Sequence, residues 1–114
     1  MNFEFIYKIC LKSEWLIAEK NKKFTGTKKD LEDRFIHFSD KVQIFGTLKK
    51  YFFKQKDLVL LKVEALELDN LVYEQSSDGN MFPHLYSVLD TKYVKNVYDI
   101  ILNKDGSHTL PPNF

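Results

Sequence analysis

The run from Leu58 to Val63, LVLLKV, is apolar at every position except Lys62. A strand with one wet face alternates apolar and polar side chains, because successive residues point to opposite sides. This run does not alternate, so it predicts a strand buried on both faces, central in a sheet with packing layers on either side. The rest of the chain must supply neighbours for that strand and cover for both faces.

Neighbours are at hand. Phe3, Phe5, Tyr7 and Ile9 recur with period two and predict a first strand over residues 3–10. LVYE, ending at Glu74, is a short strand, and VKNVYDIIL alternates before an NKDG hairpin turn, after which SHTL returns until Pro111 and Pro112 stop it. Pro83 inside MFPHLYSVL predicts an edge, a bulge or a loop, since proline has no N–H for a central ladder.

Cover comes from short helices. Ser13 is placed to cap one over EWLIAEKN, with Trp15, Leu16 and Ala18 toward the buried side. Thr27 followed by Asp30 opens a helical turn within the mixed-charge connector 19–34, whose lysines 20, 22, 23, 28 and 29 read as a solvated loop. Ser39 with Asp40 signals a cap for a helix through KVQIFGTLKKYFF, with Val42, Phe45, Leu48 and Phe52 as its inward stripe. Asp90 caps a turn at TKYV. Strands mixed with two or three short helices, in no regular alternation, predict one α+β domain spanning 1–114.

Composition narrows the function classes. A formal net charge of +1 shows no whole-chain footprint for nucleic acid or an anionic membrane. No stretch approaches the roughly 18 apolar residues of a membrane helix, and the start, with Glu4, Lys8 and Lys12, is unlike a secretory signal. The single cysteine, Cys10, excludes an internal disulfide framework and sits in an apolar setting that predicts a buried thiol. The expectation is a cytoplasmic chain, with no membrane and no disulfide partner.

Chemistry concentrates in two segments. In RFIHFSD, Phe35, His37 and Ser39 share one face of an extended chain while Ile36 and Phe38 take the other. In FPHLY, Phe82, His84 and Tyr86 share a face opposite Leu85. Each segment delivers a histidine beside a hydroxyl, and Glu74 follows an apolar strand at a position from which acids reach a cleft. The alternatives are plain: Ser39 is also a natural helix cap, and either histidine alone is also a structural hydrogen-bonding group. The three histidines (37, 84, 108) lie far apart without HxxxH, HExxH or CxxC spacing, so no metal ligands are assigned. No GxSxG, GxGxxG or GxxxxGKS/T pattern is present, which removes conventional hydrolase, Rossmann and P-loop readings.

In order along the chain, IYKI…EW, FIHFS, DLVLLKVE, VYE, FPHLY and DG…LP resemble the small bacterial and plant domain-of-unknown-function family numbered 952. The likeness covers nearly the whole chain, with FIHxS and FPHxY its most specific blocks. Two positions depart from the family pattern: Arg34 and Ser87 stand where glycines are usual, which implies a narrower approach for a ligand. The resemblance implies an ADP-ribosyltransferase-like fold of two small, mainly antiparallel sheets around a cleft for NAD or an ADP-ribose-type nucleotide. It further implies catalytic roles for His37, Glu74, His84 and Tyr86 and ligand contacts from His37, Ser39 and Tyr86. His37 would hold ribose, Tyr86 would stack on nicotinamide, and Glu74 would support an oxocarbenium-like transition state. The order His, Glu, Tyr differs from the His, Tyr, Glu order usual in that fold. A non-catalytic nucleotide- or partner-binding module and a metal-assisted hydrolase built on His37 and His84 are the competing expectations.

Overall fold

The computed structural model describes residues 3–114. In chain order the elements are β1 (Phe5–Leu11), α1 (Lys12–Asn21), β2 (Lys23–Phe24), α2 (Lys28–Asp33), β3 (Ile36–His37), α3 (Ile44–Tyr51), β4 (Leu58–Glu64), β5 (Leu71–Gln75), β6 (Met81–Leu85), β7 (Leu89–Asp90), a 3₁₀ turn (Thr91–Tyr93), β8 (Val94–Leu102) and β9 (His108–Thr109).

The apolar run lies where its composition demands. β4 pairs antiparallel with β1 on one side and β8 on the other, in a four-stranded sheet of order β1-β4-β8-β9. Val59, Leu61 and Val63 face one core with Trp15, Ala18, Phe24, Ile36, Phe38, Leu85 and Leu89. Leu58 and Leu60 face a second core with Ile44, Leu48, Ile100 and Leu110. Each such fully buried aliphatic side chain contributes about 1.5–3 kcal/mol, so this strand and its two layers account for much of the fold's stability.

A three-stranded sheet, β3-β6-β5, and a two-stranded ribbon, β2-β7, complete the architecture, and every strand pair is antiparallel. The fold is α+β, with three α-helices among the described residues. It carries the ribbon in addition to the two sheets expected, because the mixed-charge connector is not a loop: Lys23 and Phe24 pair with Asp90 and Leu89, and Thr27 caps α2 through its Oγ1, which accepts from the Asp30 N–H at 3.2 Å.

Several local expectations are corrected. α1 begins two residues early: the Leu11 N–H donates to Glu14 Oε1 at 2.8 Å, so Ser13 lies inside the first turn instead of capping it, and Leu16 is exposed. Ser39 does not cap α3. The Asp40 carboxylate accepts from the Val42 and Gln43 N–H groups, delaying the helix to Ile44 and rotating its stripe. Ile44 and Leu48 then point inward while Val42 and Phe45 face solvent. Pro83 lies in the central strand of its sheet, not at an edge. Its carbonyl accepts from the Phe38 N–H at 3.0 Å, so its missing N–H faces the same neighbour at the point where the two-residue β3 ladder has already ended. The proline is tolerated there because its carbonyl keeps one bond to that neighbour, and the reciprocal bond it cannot make falls at the end of the ladder.

Candidate functional site

Residues 36–39 are the seam between the two larger sheets. Ile36 and His37 pair with Leu85 and His84 of the three-stranded sheet, and two residues on Ser39 exchanges both backbone hydrogen bonds with Tyr7 of the four-stranded sheet at 2.8 Å each. Alternation along this extended segment buries Ile36 and Phe38 in the core and turns Phe35, His37 and Ser39 into a groove. Ser39 is itself buried, with Oγ 3.2 Å from Thr47 Oγ1, and so ties the seam to α3.

His37 and His84 are direct cross-strand partners with ring centroids 5.7 Å apart. Phe35 packs against both, stacked on His84 at 4.1 Å and tilted against His37 at 4.4 Å. The two imidazoles have different polar surroundings. His84 Nδ1 is 2.9 Å from Glu74 Oε1, and the same oxygen accepts from the Tyr86 hydroxyl at 2.5 Å. The Tyr86 hydrogen bond, then that of His84, holds the Glu74 carboxyl below the usual range, and Glu74 in turn raises the Tyr86 phenol. A carboxylate at Nδ1 places the proton on that nitrogen. Nε2 of His84 has no partner among the described residues and is not sealed from solvent, and the residue lines the groove.

His37 is held at both nitrogens. Nδ1 is 2.6 Å from Asp30 Oδ1 and Nε2 is 2.9 Å from Asp33 Oδ2. The Nδ1 contact is a hydrogen bond, and the Nε2 contact is an ion-pair distance to a second carboxylate of α2. Asp30 is 2% exposed, yet it also accepts from Lys8 Nζ at 2.8 and 2.9 Å and from the backbone N–H groups of Thr27 and His37. Burial pushes its carboxyl up, but the His37 hydrogen bond and the charge and hydrogen bond of Lys8 outweigh that and hold it far below the usual range. Lys8, Asp30 and Asp33 therefore surround His37, although the sequence pattern assigned none of them to the site. The available signals were Lys8 breaking an apolar strand and Asp30 three residues after the Thr27 cap; nothing local marks Asp33.

The groove is about 1020 Å³. α2 forms one wall, α3 another, and the β5–β6 turn closes one end, where Lys50 Nζ lies 3.7 Å from Asp78 Oδ2. His37, Ser39 and His84 line it together with Phe35 and Phe82. Glu74 and Tyr86 do not; they stand behind His84 and position it. Arg34 is the left-handed C-cap of α2, at φ 66°, outside the groove lining. Glycine suits that backbone in its own right, so this departure concerns helix termination and does not narrow ligand approach.

His108 lies elsewhere, its Nε2 2.8 Å from the Gln55 carbonyl. Cys10 is buried, and burial pushes its thiol up to about 12. Among the described residues no group of three or more His, Cys, Asp or Glu side chains is arranged to hold a metal ion, and no helix is long and apolar enough to cross a membrane.

Residues 9–97 match the family described as "Protein of unknown function (DUF952)". The crystal structure of protein CC0527 from Caulobacter crescentus is similar at 42% identity and a TM-score of 0.87, over 92% of this chain and 93% of that one. A double mutant of the same protein gives 40% identity at the same TM-score and coverage, and its solution NMR structure gives 40% identity and a TM-score of 0.81 over 96% of this chain and 93% of that one. No curated protein matches the chain. The sequence match and the shared fold together make this chain a member of the DUF952 family.

Proposed function

We propose that the groove binds an NAD- or ADP-ribose-type nucleotide and that the protein is an ADP-ribosyltransferase-like enzyme acting on it. One observation carries this reading: Glu74 fixes His84 through Nδ1 at 2.9 Å, leaving Nε2 without a partner among the described residues, in a groove that His84 lines with Phe35 and Phe82. A carboxylate-oriented imidazole is a general base, since the carboxylate sets the tautomer and balances the charge that forms when Nε2 takes a proton. His84 takes that proton from the attacking hydroxyl or water, and Phe35 and Phe82 supply faces for a flat base. Tyr86 acts through Glu74, to which it donates. The Ser39 hydroxyl and the His37 ring line the same groove as polar ligand contacts.

A binding-only reading is favoured by a second observation: Glu74 points to His84 and Tyr86 and not into the groove, so it is not placed against a ligand's anomeric carbon. Calorimetric titration with NAD, ADP-ribose and 2′-phosphorylated RNA ends, paired with an assay for released nicotinamide, separates the two. The enzyme reading expects saturable binding, nicotinamide release and loss of release in His84→Ala with binding retained. Binding without release leaves the module; no binding to any of the three removes both.

A further inference from the structure

Asp33 Oδ2 lies close to two side-chain nitrogens at once, His37 Nε2 at 2.9 Å and Lys29 Nζ at 3.2 Å. All three residues line the groove, with Lys28 beside them. The two donors differ in how firmly they are placed. His37 is anchored from behind by the buried Asp30, which Lys8 locks through both carboxylate oxygens. Its Nε2 is thus held in place against Asp33. Asp33 is not anchored: its side chain is 36% exposed, at the last residue of a six-residue helix. The Lys29 hydrogen bond, opposed by slight burial and assisted by the charges of Lys29 and His37, keeps it a carboxylate.

We infer that His37 and Lys29 form an oxyanion subsite, now filled by the chain's own Asp33 carboxylate, that receives a phosphate group of the ligand when Asp33 rotates into solvent. The inference rests on the nucleotide reading of the groove and assigns one end of it. An exposed pair of this type holds its partner by about fivefold at most, so a multiply charged phosphate displaces it readily. The exchange is balanced in hydrogen bonds, because both donors gain a phosphate oxygen for the carboxylate oxygen they release, and phosphate accepts at several oxygens at once. With Asp33 aside, Lys8 and Asp30 offset each other, and the His37 ring and the Lys29 ammonium face the ligand, with Glu32 the acid left on that wall. The ribose role that the family resemblance gives His37 is replaced by an anion contact: what this imidazole holds now is a carboxylate.

The test is calorimetry with three probes, pyrophosphate, ADP-ribose and adenosine, on wild type, Asp33→Ala and Lys29→Ala, each first checked for a cooperative thermal transition. Asp33→Ala is expected to bind pyrophosphate and ADP-ribose about fivefold more tightly, the size of the released surface pair. Lys29→Ala is expected to bind both several-fold more weakly, and adenosine is expected to be indifferent to either change. ADP-ribose binding unaltered by both variants overturns the subsite and leaves the nucleotide reading in place. Pyrophosphate binding that tightens in Asp33→Ala, with no binding of ADP-ribose or adenosine, upholds the subsite and overturns the nucleotide reading. No binding of any probe overturns both.

Discussion

Replacing Asp30 by asparagine tests the group on which the site rests. The substitution keeps the shape and removes the charge, leaving the Lys8 ammonium, 4% exposed, without a counter-charge. Breaking a buried pair by removing one partner costs about 3–5 kcal/mol, a large share of the 5–15 kcal/mol or so that holds a domain of this size together. At about 4 °C per kcal/mol, Tm is expected to fall by roughly 12–20 °C. With a urea m-value near 1.5 kcal/mol/M, the unfolding midpoint is expected to drop by about 2–3 M at unchanged m. Adding Lys8→Met removes the stranded charge, so the double variant is expected to be more stable than Asp30→Asn alone. The pH dependence has a definite sign. Because the folded Asp30 carboxyl titrates below its unfolded counterpart, its stabilisation is complete above the ordinary aspartate value of about 3.9 and is lost progressively as pH falls below that. Urea denaturation of Asp30→Asn within about 1 kcal/mol of wild type, the ceiling for an exposed pair, would refute the buried-network argument. So would a double variant less stable than Asp30→Asn.

Tyr86→Phe removes the first of the two hydrogen bonds that hold Glu74 low, so the Glu74 carboxyl is expected to titrate higher by side-chain ¹³C NMR; an unmoved titration contradicts the shared-oxygen geometry. Cys10, with its thiol pushed up to about 12 and its side chain buried, is expected to resist iodoacetamide at pH 8 in native protein and to react in urea, and stoichiometric native labelling would rule that out. Leu48→Ala is expected to cost about 2–5 kcal/mol, while Val42→Ala stays within about 0.5 kcal/mol. Equal losses in denaturant titrations would mean that α3 packs on the other stripe.

Periodicity and turn chemistry were enough to locate most elements, because both act over a few residues. β4, β5, β8, the Thr27 cap, the Asp90 turn and the hairpin before β9 all follow from local pattern. α3 was misread by a few residues because Asp40 and Ser39 are both good cap residues, and only the pairing of Ser39 with Tyr7 decides that Asp40 makes the turn. Pro83 was misread for the complementary reason. Proline forbids a ladder bond, but sequence does not show that the neighbouring strand ends where that bond would form.

By itself the sequence determined that Leu58–Val63 is buried on both faces, that Phe35, His37 and Ser39 share one side of an extended segment and that Phe82 and His84 share another. Those facts depend on residue type and a two-residue period. Only the tertiary structure decided that the two histidines meet across one strand pair with Phe35 packed against both, that Glu74 and Tyr86 serve His84 from behind, and that Lys8 and Asp30 anchor His37. The physical reason is distance along the chain. Lys8 and Asp30 lie 22 residues apart in sequence and within hydrogen-bonding reach in space, and a charge pair of that kind leaves no periodic trace because its partner is supplied by a different element.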